Sequence, residues 1–270
     1  MRALLLIGLL ACGSTTAKPE SHRPSDTGAV DEATFKAMHV PPAGGASPVL
    51  HGQTIDLDGT KAYLSVPPGP GPFPGIVVIH EWWGLNENIE HWSDRLAGVG
   101  WAAIAIDLYA GKVTTTADDA MAAMNSVDEK AAALTIGKAI DFLKTDPRIR
   151  APKRAVIGWC FGGGWSMQTA LAHPELDGVI IYYGQLETDP KKLAAIKAPL
   201  LGVFGNLDKG IPPTTVDAFD TALGEAHVAH EIYRYDAPHA FANPSNPKYV
   251  EPAAADAWTH VLAFLAKIER

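Results

Sequence analysis

One seven-residue stretch limits the folds open to this chain more than any other: Gly158-Trp159-Cys160-Phe161-Gly162-Gly163-Gly164. It follows an apolar run at 153–157 and opens a helical pattern at 162–172. A reactive residue at the apex of a strand–turn–helix elbow sits on strained backbone. Glycines two positions away on either side let strand and helix pass closely. The apex residue here is a cysteine. A thiol at a helix N-terminus, near a histidine, gives up its proton readily and attacks carbonyl carbon directly.

The surrounding pattern supplies the sheet that such an elbow needs. Gln53–Leu57 and 61–66 read as a hairpin turned by Asp58-Gly59. Gly75–Ile79, 101–106, 153–157, Gly178–Tyr182 and 200–204 are short, nearly continuous apolar runs, as expected of strands buried on both faces. Helical patterns at Glu87–Gly98, 128–144, 162–172, 213–223 and 253–268 alternate with them, and His230–Tyr235 reads as a last strand. Strands joined by helices imply right-handed crossovers and a mostly parallel central sheet with helices on both faces, an α/β fold of the α/β-hydrolase type. In such sheets chemistry gathers at the carboxyl ends of strands.

The elbow also fixes where its partners belong: an acid after a later strand, then a histidine after the last one. Run 200–204 is followed by Gly205-Asn206-Leu207-Asp208, and His230–Tyr235 by Asp236-Ala237-Pro238-His239. Of the ten histidines, only His239 lies between the last strand and the last helix. Asp208 is placed to orient the His239 imidazole and fix its tautomer. After Gly75–Ile79 come His80-Glu81-Trp82-Trp83-Gly84. This loop supplies one oxyanion N–H, assigned to Trp82, and the residue after the nucleophile, Phe161, supplies the other. Glu81 is unexpected beside a developing negative charge. A buried carboxylate there is a candidate proton acceptor for the thiol.

The net charge of −8 and the scattered lysines and arginines argue against a nucleic-acid partner. No Cys/His cluster has metal-ligand spacing, and the triple glycine lacks the lysine of a nucleotide cradle. Neither a metal nor a cofactor is called for. Met1-Arg2, the apolar run 3–11 and Cys12-Gly13-Ser14 describe an export signal too short to span a bilayer. Leu9-Leu10-Ala11-Cys12 resembles a bacterial lipobox, which would lipidate Cys12 and leave the protein in or facing the periplasm; a soluble secretory product cut near Ala17 is the alternative. The signal region covers 1–17 and the hydrolase domain 51–270. Between them, 18–50 reads as a flexible tether with one helical turn around 34–38. With Cys12 lipidated, Cys160 has no disulfide partner, and a free thiol in an oxidising compartment is readily explained by catalysis.

Together these residues resemble the dienelactone hydrolases, from about Gly52 to the end. The resemblance rests on Val78-Ile79-His80-Glu81, Asp107-Leu108-Tyr109-Ala110, the elbow, Tyr182-Tyr183-Gly184, Asp208 to Pro212 and His239-Ala240-Phe241. It implies hydrolysis of a small carboxylic ester or lactone through an acyl-enzyme, with Glu81 activating Cys160. It also implies two substrate-binding arginines, at places that here hold Gly111 and Asn243. Lys112 is a point charge and no equivalent of a bidentate guanidinium. The expected substrate is therefore an ester other than dienelactone, and an uncharged one. A thioesterase or general esterase on the same scaffold is the alternative activity, and a non-catalytic surface lipoprotein the alternative of another class.

Overall fold

The computed structural model describes residues 30–40 and 50–270. The signal region, Cys12 and most of the tether lie outside the described residues. The elements run α1 (Glu32–His39), β1 (Gln53–Leu57), β2 (Thr60–Ser65), β3 (Gly75–Ile79), α2 (Glu87–Gly98), β4 (Ala102–Ile106), α3 (Ala117–Asn125), α4 (Glu129–Thr145) and β5 (Arg154–Trp159). They continue with α5 (Phe161–Ala172), β6 (Gly178–Tyr182), α6 (Pro190–Leu193), β7 (Leu200–Gly205), α7 (Pro213–Glu225), β8 (His230–Tyr235) and α8 (Glu251–Ile268).

The strands form one eight-stranded sheet in the order β1-β2-β4-β3-β5-β6-β7-β8. Strands β3 to β8 are mutually parallel, and the β1–β2 hairpin joins β4 antiparallel. β3, β4, β6 and β7 are buried at every residue, which is why their sequences are apolar without alternation. Two apolar clusters, one on each face, hold the helices to the sheet. Trp92, Trp159 and Trp258 lie in one; Phe204 and Phe219 in the other.

The chain leaves β3 for β4 on one side, then returns to β5 on the other. The loops that follow β3 and β5 therefore diverge and open a crevice between them, the place where open α/β sheets bind ligands. Glu81 follows β3 and Cys160 follows β5.

Two helices were not legible in the sequence. α3 buries only Ala120 and Ala123, so its apolar stripe is too narrow to register as a period, and α6 is a single turn. Residues 30–40 also differ from a loose tether. Instead of one helical turn around 34–38, two turns form, capped by the Asp31 side chain, and Phe35 is fully buried. Glu32 pairs with Arg95 at 2.9 Å, both buried. The Arg95 guanidinium lies 4.2 Å from the ring centres of both Phe35 and Trp258, and Tyr249 donates to Glu32 at 2.7 Å.

Candidate active site

Cys160 stands between β5 and α5 with φ 55° and ψ −113°, a conformation that non-glycine residues rarely adopt. The elbow's glycines are sterically required. A Cβ on Gly158 would come within 2.2 Å of the Gly162 carbonyl oxygen, and one on Gly162 within 2.2 Å of the Ile79 carbonyl oxygen. The strained turn is held from below, because the Cys160 N–H donates to the Tyr182 carbonyl at 3.0 Å. Strain of this kind persists only where its surroundings over-determine it, and it clusters at functional sites.

His239 comes from the loop after β8. Its Nδ1 donates to Asp208 Oδ2 at 2.6 Å. The other Asp208 oxygen accepts from the backbone N–H groups of Gly210 (2.7 Å) and Ile211 (3.1 Å). Burial alone would raise the Asp208 carboxyl, but these hydrogen bonds and the His239 charge bring it below its ordinary value. Burial likewise works against a charged imidazole. Hydrogen bonds and charges from Asp208 and Cys160 outweigh it and hold His239 up at about 10. The structure thus brings Cys160, His239 and Asp208 into one chain of interactions, in the order expected from the sequence.

Glu81 lies in the same cluster and is almost fully buried. Its Oε2 accepts from Asn243 Nδ2. Burial raises its carboxyl to about 7, and the Asn243 hydrogen bond and the His239 charge only partly oppose that. Beside it, the His80 ring is wholly buried and pushed down to about 4 by burial, so it is neutral. Its Nδ1 meets the Glu81 carbonyl at 2.6 Å, and its Nε2 accepts from the Leu108 N–H at 3.2 Å. His80 therefore braces the two loops that flank the site and takes no part in the triad.

Trp82 and Phe161 are both partly exposed at the crevice. Phe161 is the first residue of α5, so its N–H has no partner within the helix. The Trp82 N–H makes no backbone hydrogen bond among the described residues. Both donors are free for an oxyanion.

The two places where the resemblance implies arginines are occupied differently. Gly111 is exposed at φ +87°, and its N–H is taken by the Asp107 carboxylate. Asn243 is buried against Glu81, with Oδ1 accepting from Ser245 N–H at 2.9 Å. Sequence reasoning noted Asn243 as a missing arginine and did not see it as the partner of Glu81. Tyr109 and Tyr183, named in the sequence only as parts of the resemblance and given no role there, pack their rings on Phe161 (5.4 Å) and His239 (5.1 Å). Their position just after β4 and β6 was the available signal. A groove of about 380 Å³ between the β1–β2 turn, residues 107–111 and the start of α4 contains none of these catalytic candidates.

A mostly parallel sheet, a positive-φ elbow after β5 and a His–Asp pair beyond later strands define an α/β-hydrolase. Residues 60–269 match the model of the dienelactone hydrolase family, and the chain belongs to that family and is a hydrolase of its type. A Methylorubrum extorquens protein named "Putative carboxymethylenebutenolidase" is 31% identical over 212 residues, 73% of each chain. Protein usf of Aquifex pyrophilus is 32% identical over 228 residues, covering 79% of this chain and 97% of that one. Among solved structures, a Klebsiella pneumoniae protein described as a "Putative Dienelactone Hydrolase" superposes with a TM-score of 0.74 at 26% identity, over 80% of this chain and 98% of that one.

Proposed function

We propose that this hydrolase cleaves small, uncharged carboxylic esters or lactones through a thioester on Cys160. The observation that carries the reading is His239, which joins the Asp208 carboxylate on one side to the thiol of a strained elbow residue on the other. Glu81 takes the thiol proton. The thiolate forms a C–S bond to the substrate carbonyl, and the Trp82 and Phe161 N–H groups hold the resulting oxyanion. Collapse of that intermediate expels the alkoxide, which takes its proton from His239. His239 then takes a proton from water, the hydroxide cleaves the thioester, and the released thiolate takes its proton back from Glu81. Asp208 keeps the imidazole in the tautomer that presents Nε2 to the thiol.

An uncharged acyl group follows from the lining. Asn243 and Gly111 offer no cation, Lys112 is exposed, and the buried carboxyl of Glu81 disfavours an anion. The localisation belongs to the same proposal: export through the 1–17 region with a lipid on Cys12, tested by fractionation and lipid labelling of Cys12→Ala.

The test of the chemistry is turnover of p-nitrophenyl acetate by wild type, Cys160→Ala and Cys160→Ser, with and without iodoacetamide. Activity is expected to vanish in Cys160→Ala and on alkylation. Activity that survives either treatment overturns the cysteine mechanism. Dienelactone turnover at least as fast as that of simple aryl esters overturns the uncharged-substrate reading.

A further inference from the structure

Asn243 lies just beyond His239 in the loop after β8 and is almost fully buried. Its backbone is held in two consecutive turns: its N–H donates to the Ala240 carbonyl at 3.2 Å, and its carbonyl accepts from Asn246 N–H at 3.0 Å. The side chain cannot turn over. Ser245 N–H, which can only donate, meets one end of the amide at 2.9 Å, so that end is the oxygen Oδ1. The other end, Nδ2, is thereby aimed at Glu81 Oε2. A second tie lies beside this one. The Ser245 hydroxyl donates to Asn88 Oδ1 at 3.0 Å, fastening the same loop to α2, the helix that follows the Glu81 loop.

An amide nitrogen donates and does not accept. A proton on Oε2 would weaken the contact, because a hydroxyl oxygen is a poorer acceptor than a carbonyl or carboxylate oxygen. Oε1 has no hydrogen-bond partner among the described residues. We propose that Asn243 is a positioning residue that divides the work of the two Glu81 oxygens: Oε2 stays an acceptor held by Nδ2, and Oε1 takes the proton of the Cys160 thiol. The S–H bond breaks, an O–H bond forms at Oε1, and the electron pair stays on sulfur as thiolate. Oε2 becomes the carbonyl oxygen of the neutral carboxyl, so the Asn243 hydrogen bond survives the transfer. A neutral donor suits this exchange, since it steadies the carboxylate without a charge that would keep the proton away.

Titratable groups bear on the Glu81 carboxyl from several loops. His239 acts on it from the loop after β8, and Tyr183 from the end of β6. His80 precedes it on its own loop and is neutral. Cys160 on the elbow and Asp208 beyond β7 are coupled to it through His239. His239 titrates at about 10 and burial pushes the Tyr183 phenol well up, so neither changes charge near pH 7.

The inference rests on Glu81 being the proton acceptor, and two readouts separate the failure of one from the failure of the other. Asn243→Ala removes the donor, and Asn243→Asp replaces it with an acceptor of the same shape. On p-nitrophenyl acetate, the acid limb of kcat/KM is expected to move up by about one pH unit in Asn243→Ala, a tenfold loss below the limb that shrinks as pH rises. Asn243→Asp sets a second carboxyl against Oε2 and is expected to move the limb further up. Infrared difference spectra between pH 6 and pH 9 read the C=O stretch of protonated Glu81, identified as the band missing from Glu81→Gln. The band is expected at higher frequency in Asn243→Ala, because its carbonyl oxygen Oε2 has lost a donor. An unmoved band overturns the inference, and a loss of activity uniform in pH then makes Asn243 merely structural. A moved band with an unmoved limb overturns instead the reading of Glu81 as proton acceptor, and the catalytic part of the inference with it. A Glu81→Gln enzyme that keeps the wild-type acid limb does the same, while the band still decides whether Asn243 holds Oε2.

Discussion

Asp208 divides its two oxygens between two tasks: Oδ2 receives the His239 imidazole, and Oδ1 receives the backbone N–H groups of Gly210 and Ile211. The backbone thus aims the carboxylate, and the carboxylate aims the histidine. Asp208→Asn keeps the shape but presents an amide donor to Nδ1, which favours the wrong tautomer. Its kcat is expected to fall by roughly 10³–10⁴-fold with the melting temperature little changed. A loss below tenfold, measured on an aryl ester, removes Asp208 from the catalytic chain.

Glu81 gives a pH signature of its own. If the ionised form takes the thiol proton, kcat/KM of the wild type falls about tenfold per pH unit below about 7. Glu81→Gln abolishes that limb and lowers activity at pH 8. An unchanged profile in Glu81→Gln rules the role out.

The same residue makes a stability prediction of opposite sign. The folded carboxyl titrates near 7 and the unfolded one near 4.5. The folded state therefore holds the proton more tightly, and stability falls as pH rises from 4.5 through 7. The penalty is fully present above that, on the order of 3 kcal/mol. Glu81→Gln is expected to be more stable than wild type at pH 8 and nearly equal to it at pH 4. Urea unfolding at the two pH values checks this, and a stability gap independent of pH contradicts it.

At the elbow the prediction is steric. Gly162→Ala pushes a methyl group into the Ile79 carbonyl, a backbone atom that no side-chain rotation can move aside. Loss of the folded protein, or a large loss of activity with weakened stability, is expected on expression and thermal unfolding. A fully active Gly162→Ala enzyme means that the elbow is looser than described.

Removing one partner of the buried Glu32–Arg95 pair strands the other charge among aromatic rings. Glu32→Ala is expected to cost about 3–5 kcal/mol in denaturant unfolding. Activity at 25 °C should survive, since α1 lies away from the crevice. A cost below 1 kcal/mol shows that α1 contributes little.

The parts of this molecule that could be read from the sequence share one property. The buried strands, the elbow and the order of Cys160, Asp208 and His239 are local patterns, fixed by a few neighbouring residues and by chain order. What could not be read depends on contacts across long separations. Asn243 meets Glu81 across 162 positions, and Tyr183 meets His239 only because β6 and the loop after β8 reach the same edge of the sheet. Nothing local distinguishes Asn243 from a turn residue. α1 was reduced to one turn for the same reason: Phe35 is one apolar residue in a polar stretch, and its burial is decided by contacts with Trp92 and Arg95.

The seat of α1 has a consequence in time. Glu32 answers to Tyr249, 217 positions later, and Lys36 to Glu251, 215 positions later. A chain emerging from the ribosome has made the residues of α1 long before the residues that receive them exist. Closing so long a loop comes late in folding. The sheet can assemble while the leading segment remains unseated, and the last helix then locks beginning to end.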